Sequence, residues 1–364
     1  MPGDRKCHVR DAGALPLSQA ARTDPSLERG GDAPRIALVL GAGGVAGIAF
    51  HAGVLAAVSE ATGFDPRQVD LVVGTSAGSV TAAGLRAGVA ASDLYARVTD
   101  GELSAQGRAL FAAVDAASGG ELPMDRLGRL RPLPAAPGVL WSAGRSFGRV
   151  RPGALLAGLL PAGRTSTDAI SRGTDALSPA WPEMPTWLCA VRLDDGRRVV
   201  FGRPGAPPAS LGQAVAASCA IPGYFAPVVV DGTRYVDGGA HSTSNLAVVA
   251  DRGFDLVIVS APMSRAGRRP QVPGALPAVL GLMGREVNRV VLASEARRVR
   301  SGGTEVVAFA PTTADRAVMG LNPMDMGRRG PVARQAYESA LRRLERDELQ
   351  ARLGALERAR RCRR

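Results

Sequence analysis

Two successive stretches of this chain share one layout, and that layout leaves few folds open. The first is "RIALVLGAGGVAGIAFHAGVLAAVSEA", in which a five-residue apolar run breaks into glycines and continues as an alanine-rich amphipathic stretch. The second, "DLVVGTSAGSVTAAGLRAG", repeats the order of short apolar run, tight glycine-flanked turn and helix-like segment. Runs of this length bounded by glycine read as buried strands, and the segments after them have helical apolar spacing. Two strand–turn–helix units in a row require the chain to cross back over one face of a sheet, which predicts βαβ winding and a mainly parallel sheet. Downstream, "TWLCAVRLDDGRRVVFG" and "APVVVDGTRYVDGG" read as hairpins, the first turning at Asp195-Gly196. "FDLVIVSAP" and "TEVVAFA" read as further strands. Helices are predicted over "SLGQAVAASCAIPG" up to Pro222, from about Ala275 to Arg300, and from about Val332 to the end.

This pattern organises the chain as one α/β domain with appendages. Residues 1–34 are polar, punctuated by Gly and Pro, and read as a flexible leader. Residues 35–330 form the α/β domain, and residues 331–364 a basic C-terminal helix. Within the domain about 101–185 reads as a cap-like insertion, because 12 of the 35 residues from Gly119 to Gly153 are Gly or Pro. Cys7, Cys189, Cys219 and Cys362 show no Cys-x-x-Cys spacing, so neither a disulfide framework nor a zinc site is indicated. No signal-like apolar region and no run of 18 apolar residues occurs, which makes a cytoplasmic protein the expectation.

The glycine loop after the first strand admits two readings. Gly41, Gly43 and Ala46 fit the Gly-x-Gly-x-x-Gly/Ala pattern of a dinucleotide site, in which backbone N–H groups at a helix N-terminus hold a pyrophosphate. That site needs an acidic residue at the end of the second strand to hold the ribose. Here the second strand runs instead into Gly74-Thr75-Ser76. The same backbone donors then serve the oxyanion of an acyl-transfer intermediate, with the amides of Gly43 and Gly44 brought near Ser76 by adjacent parallel strands.

"GTSAG", Gly74 to Gly78, is Gly-x-Ser-x-Gly between a strand and a helix, the context in which a serine is pushed out at the carboxyl edge of a sheet. The alternative is a tight turn with Ser76 capping a helix. "WSAG" at Trp141–Gly144 lacks the first glycine and the strand, and has no assigned role. A nucleophilic serine needs a proton acceptor. His8 lies in the leader, His51 in the first helix, and His241 just after the last hairpin, which makes all three poor candidates. "YVDGGAHSTSNL" offers Asp237 at a strand end, followed by Gly238 and Gly239, which let backbone approach closely. Asp231 sits in an Asp-Gly hairpin turn and reads as a turn residue.

These blocks together resemble the patatin-like phospholipases, bacterial-type acyl hydrolases. The resemblance rests on "LGAGGVAG", which includes Gly41 and Gly47, on "GTSAG", on "DGG" at Asp237–Gly239, and on the run "ASCAIPGYFAPVVVDGTRYVDGG" leading into it. It covers about Arg35 to Ala310. It implies a three-layer α/β/α fold and a Ser/Asp dyad acting on acyl esters of lipids through an acyl-enzyme, with no cofactor and no metal. Ser76 would be the nucleophile, Asp237 the base, and Gly43, Gly44 and Val45 the oxyanion donors. Two departures stand out: Ala42 replaces the first of three consecutive glycines, and Ala46 stands where a basic residue is common. They motivate a rival reading, a membrane-associating or regulatory protein with little activity. A Ser-His-Asp esterase using His241 is the other.

Charge adds a partner. The net charge is +12, and arginine supplies it, Lys6 being the only lysine. Residues 264–300 carry eight Arg against Glu286 and Glu295, and residues 341–364 carry nine Arg against four acids, so two segments hold nearly all the excess. With 4% aromatic residues and no nucleic-acid motif, nucleic acid is not expected and an anionic membrane surface is the favoured partner. Leu276, Val279, Leu280, Met283, Val287, Val290 and Val291 share one face of the segment ending at Arg300, a face that suits either the core or a lipid interface.

Overall fold

The computed structural model of the chain describes residues 33–119, 135, 157–267 and 276–362. The expected leader, "WSAG" and most of the central Gly/Pro-rich stretch lie outside the described residues. The chain starts with β1 (Ile36–Leu40), α1 (Gly44–Thr62), β2 (Leu71–Thr75), α2 (Ala77–Arg86), α3 (Ala91–Thr99) and α4 (Ala105–Ser118). It continues with α5 (Asp168–Leu177), β3 (Thr186–Arg192), β4 (Arg198–Phe201), α6 (Leu211–Cys219), β5 (Val228–Val230) and β6 (Thr233–Asp237). Then come β7 (Leu256–Ser260), α7 (Leu276–Arg300), β8 (Glu305–Phe309), α8 (Thr313–Met319), α9 (Arg329–Leu344) and α10 (Asp347–Cys362).

The strands form one mixed sheet in the order β5-β6-β3-β2-β1-β7-β8, with β4 also pairing β3. The five strands β3, β2, β1, β7 and β8 run parallel, as the two strand–turn–helix units predict. The predicted hairpins β3–β4 and β5–β6 add the antiparallel part. Asp231 (φ 47°) and Gly232 (φ 68°) make the second hairpin turn with two left-handed residues, so Asp231 is the turn residue its sequence suggests.

Alternation along β1 separates the layers. Ile36, Leu38 and Leu40 enter one core with α1, α2, α6 and α9, while Ala37 and Val39 enter a second core under α7. The result is a sheet with helices on both faces. By length and composition α1 is apolar enough to cross a membrane, but its residues from Val45 to Val58 are mostly buried against the sheet and α9.

Two segments depart from expectation. The C-terminal segment forms two helices rather than one, breaking at Glu345–Arg346. Val332, Ala333, Ala336, Ala340 and Leu344 of α9 and Leu349, Leu353 and Leu356 of α10 all join the same core as α1, and a change of direction lets both helices bury these faces. In α7 the core contacts come from Leu292, Ala296 and Val299, whereas Met283, Val287 and Val290 are 60%, 62% and 52% exposed.

Candidate active site

Ser76 occupies the single residue between β2 and α2. Its φ of 53° and ψ of −121° lie where a non-glycine residue is strained, a cost that the surroundings must over-determine. They do so from both sides. The Ser76 N–H donates to Ser218 Oγ at 2.9 Å, and that hydroxyl donates to the Cys189 carbonyl at 2.7 Å. The Ser76 carbonyl accepts from Ser79 N at 2.8 Å and Ser79 Oγ at 2.6 Å. Gly78 lets α2 press onto the end of β1, since a Cβ there would lie 2.0 Å from the Leu40 carbonyl oxygen. Gly74 closes the other side of the motif at the end of β2.

Sheet register delivers Asp237 to this serine. Thr75 lies opposite Cys189, and the next residue of β3, Ala190, lies opposite Asp237. The carboxylate is therefore brought to the level of the residue after Thr75, where the Ser76 hydroxyl favours its ionised form. Gly239 N donates to Asp237 Oδ1 at 2.7 Å. Gly238 begins the short helical turn after β6, close under Cys189. Ser76 is 4% and Asp237 5% exposed. Burial pushes the Asp237 carboxyl up to about 6, against the opposing pull of its bonds from Ser76 and Gly239.

The glycine loop lies beside them because Leu40 is in register with Gly74 on one side and Ser260 on the other. Gly41 N donates to the Ser260 carbonyl at 2.9 Å and Ala42 N to the Thr243 carbonyl at 2.7 Å. Gly43 caps α1 and Gly44, at φ 60°, opens it, with Pro323 and Met324 packed so closely that no Cβ fits. In the first turn Ala46 N is taken by the Pro323 carbonyl at 2.9 Å, and Gly47 N by the Gly43 carbonyl at 2.8 Å. The amides of Gly44 and Val45 precede the first intrahelical bond, as helix N-termini require. Ala42 and Ala46 are both buried.

His51 holds the glycine loop from behind. His51 is fully buried, with Nδ1 2.8 Å from Ser260 Oγ and Nε2 2.8 Å from the Gly41 carbonyl. A carbonyl only accepts, so Nε2 carries the proton and Nδ1 accepts from Ser260. Burial lowers this imidazole to about 4, which keeps it neutral, and it ties the glycine loop to β7. His241 follows the short turn after Asp237, and His8 lies outside the described residues.

Three supporting residues escaped sequence reasoning: Ser218, Asn245 and Ser260. Asn245 is fully buried, left-handed at φ 49°, and its Nδ2 donates to Thr75 Oγ1 (3.1 Å), the Gly238 carbonyl (3.2 Å) and the Ser242 carbonyl (2.7 Å). It thereby links the strand carrying Ser76 to the turn carrying Asp237. Its only sequence signal is an asparagine in a short polar run after "DGG".

A pocket of about 510 Å³ opens above Ser76, with Gly44 and Val45 in its wall. Ile48, Val80, Ile170, Leu177, Phe225 and Met324 make it largely apolar, while Arg97, Asp100 and Arg329 stand among its polar lining. Helices α4 and α5, from the expected cap-like insertion, supply part of this wall. Ser76 and the helix-start residues Gly44 and Val45 thus face an apolar recess, with the buried Asp237 carboxyl on the neighbouring strand, an arrangement suited to acyl transfer from a hydrophobic ester.

The patatin-like phospholipase family matches residues 38–250. Among solved structures, VipD from Legionella pneumophila is similar at 15% identity and a TM-score of 0.40, over 86% of this chain and 67% of that one. The type III effector protein ExoU is similar at 17% identity and a TM-score of 0.33, over 91% of this chain. This chain spans 62% of the ExoU chain.

Proposed function

The chain belongs to the patatin-like phospholipase family, and on that premise we propose that it is a serine acyl-ester hydrolase acting on lipids through a Ser76–Asp237 dyad. The observation that carries the reading is the juxtaposition, set by strand register, of the strained Ser76 turn and the buried Asp237 carboxyl, whose ionised form the Ser76 hydroxyl favours. Asp237 accepts the Ser76 proton as Oγ attacks the ester carbonyl, and the Gly43, Gly44 and Val45 amides stabilise the oxyanion. The tetrahedral intermediate collapses to an acyl-enzyme, and the alcohol leaves with the proton held by Asp237. Water, deprotonated by the same carboxylate, then releases the fatty acid. The dipole of α2 starts beside the nucleophile and adds to the positive field. Ala42 and Ala46 leave this intact, because the donors are backbone amides. The test is labelling by a fluorophosphonate probe at Ser76, together with fatty-acid release from phosphatidylcholine vesicles. A folded protein that does neither would favour the regulatory reading.

The base sets a pH dependence. Only ionised Asp237 accepts a proton, and its ionisation is centred near 6. The expected kcat/KM on a soluble short-chain ester is level above that pH and falls about tenfold per unit below it. A profile flat from pH 4.5 to 8 on folded protein would remove Asp237 from the role of base.

The exposed face of α7 supports peripheral contact between a cytoplasmic enzyme and an anionic membrane. Met283, Val287 and Val290 form an uncovered apolar stripe that continues, toward the C-terminal end of α7, into exposed Arg297 and Arg298. Vesicle binding is expected to rise with anionic lipid and fall with salt, and to weaken severalfold in Val287→Glu. Equal binding of the variant and the parent in flotation assays would show that this face is not the contact.

A further inference from the structure

The two arginine-rich segments that supply the chain's excess charge are far apart in sequence yet meet at one place. A second cavity, of about 840 Å³, lies at the edge of the sheet along β8, between α7 on one face and α9 on the other. It shares no lining residue with the Ser76 pocket. Arg265, Arg289 and Arg300 line it from the first segment, and Arg342, Arg343 and Arg346 from the second. Asp315 is the one carboxylate among its described lining residues. That carboxylate is committed to capping α8, its Oδ2 accepting from Thr312 N and Thr312 Oγ1 at 2.7 Å each.

Local structure accounts for the positions of these arginines but not for their charge. β8 is an edge strand, and its outward carbonyls take guanidinium donors: Arg300 Nη2 reaches the Val306 carbonyl at 2.8 Å, and Arg343 Nη1 the Ala308 carbonyl. Each such bond engages one of five N–H groups and neutralises nothing. Arg343 also lies over the Phe309 ring, 5.0 Å from its centroid. Burial lowers its pKa, and neighbouring Arg346 and Arg352 add to the shift. Arg265 and Arg289 share one acid, Glu286. Arg342 makes only long contacts, with Glu338 at 3.5 Å and with the Ser339 hydroxyl at 3.4 Å. Complementing the α9 dipole explains basic residues at its C-terminal end but not the convergence of Arg265, Arg289 and Arg300 from elsewhere.

We propose that this cavity is a binding site for a phosphate-bearing anion, held by guanidinium forks that are pre-positioned on the β8 carbonyls. Arginine suits this role because its planar donors match phosphate oxygens and its charge persists when partly desolvated. A phosphate group of two or more negative charges fits the excess better than a single carboxylate. Such a group comes either free in solution or on a phospholipid headgroup, and the two sources are separable by experiment.

The test uses the full chain with two probes: inorganic pyrophosphate by calorimetry, and flotation with phosphatidylcholine vesicles with and without phosphatidic acid. Arg342→Gln/Arg346→Gln removes two exposed lining charges without disturbing the core. Arg164→Gln/Arg358→Gln removes two exposed charges elsewhere. The lining pair is expected to lose about tenfold or more in affinity while the control pair changes less than twofold, with both retaining the parent's unfolding temperature. Pyrophosphate binding with this pattern assigns a soluble ligand, and binding only to phosphatidic acid vesicles assigns a headgroup. Equal loss in both pairs, or no binding of either probe by the parent, overturns the site.

Discussion

Ser76→Ala and Asp237→Asn are each expected to cut ester hydrolysis by roughly 10⁴-fold or more, while His241→Ala keeps most of it. In the proposed dyad neither member can be spared: without the Oγ there is no nucleophile, and an amide in place of the carboxylate accepts no proton. An imidazole acting between them would reverse the ranking, making His241→Ala as inactive as Ser76→Ala. The second readout is stability, and its sign is opposite to that of a destabilised variant. The Asp237 carboxyl is raised from 3.8 to about 6 in the folded protein. The folded state therefore binds this proton more tightly than the unfolded state. The resulting stabilisation is present below pH 4 and is lost as pH rises through 6. At pH 8 the buried charge costs on the order of 3 kcal/mol. Asp237→Asn removes that cost, so it is expected to unfold at higher denaturant than the parent at pH 8, with the advantage fading toward pH 4. An inactive variant that gains stability in this way cannot be dismissed as misfolded. One that is less stable at pH 8 would mean that the carboxylate is not paying a desolvation penalty there.

The second large effect is structural and reaches the site from one atom. Gly78→Ala places a methyl group 2.0 Å from the Leu40 carbonyl oxygen, where the neighbour is strand backbone rather than a flexible side chain. Relief requires α2 to lift from β1, and α2 carries Ser76 at its start. The expected cost is about 4 kcal/mol or more, the upper range for a single substitution, with loss of fluorophosphonate labelling in whatever folds. Gly119→Ala is the comparison: its φ of 75° strains an alanine, but nothing lies within 4 Å of the new methyl, so about 1 kcal/mol is expected. Thermal unfolding of the two variants side by side measures the difference. A Gly78→Ala protein within 1 kcal/mol of the parent would show that contact with β1 does not hold the elbow.

These two substitutions also mark how far the sequence could be read. Glycines at 74 and 78 around a serine, between an apolar run and a helical one, announce a strained turn because the local backbone permits little else. The order of glycine loop, serine turn and Asp-Gly-Gly was likewise visible, as were the hairpins at Asp195-Gly196 and Asp231-Gly232. Ser218 and Asn245 were not. Their roles depend on partners such as Ser76, which is 142 positions from Ser218, and a polar residue in a short run carries no mark of what will be packed against it. His51 was legible as a helix residue but not as the group that ties the Gly41 carbonyl to Ser260, since that requires β7 to lie beside β1.

Neighbours a few residues away suffice for the local features: parallel winding, the positions of the tight turns, and the serine and aspartate with chemistry to offer. Tertiary structure alone decided the rest. The register of β3 against β2 and β6 brought the Asp237 carboxylate to the Ser76 hydroxyl and took it out of water. Packing of α7 through Leu292, Ala296 and Val299 left Met283, Val287 and Val290 uncovered, a choice between faces that periodicity cannot make. The edge position of β8 gathered arginines from two remote segments around one cavity. The reason is common to all three: a side chain's pKa, exposure and partners follow from which elements become neighbours, and that depends on how the whole sheet buries its two faces at once.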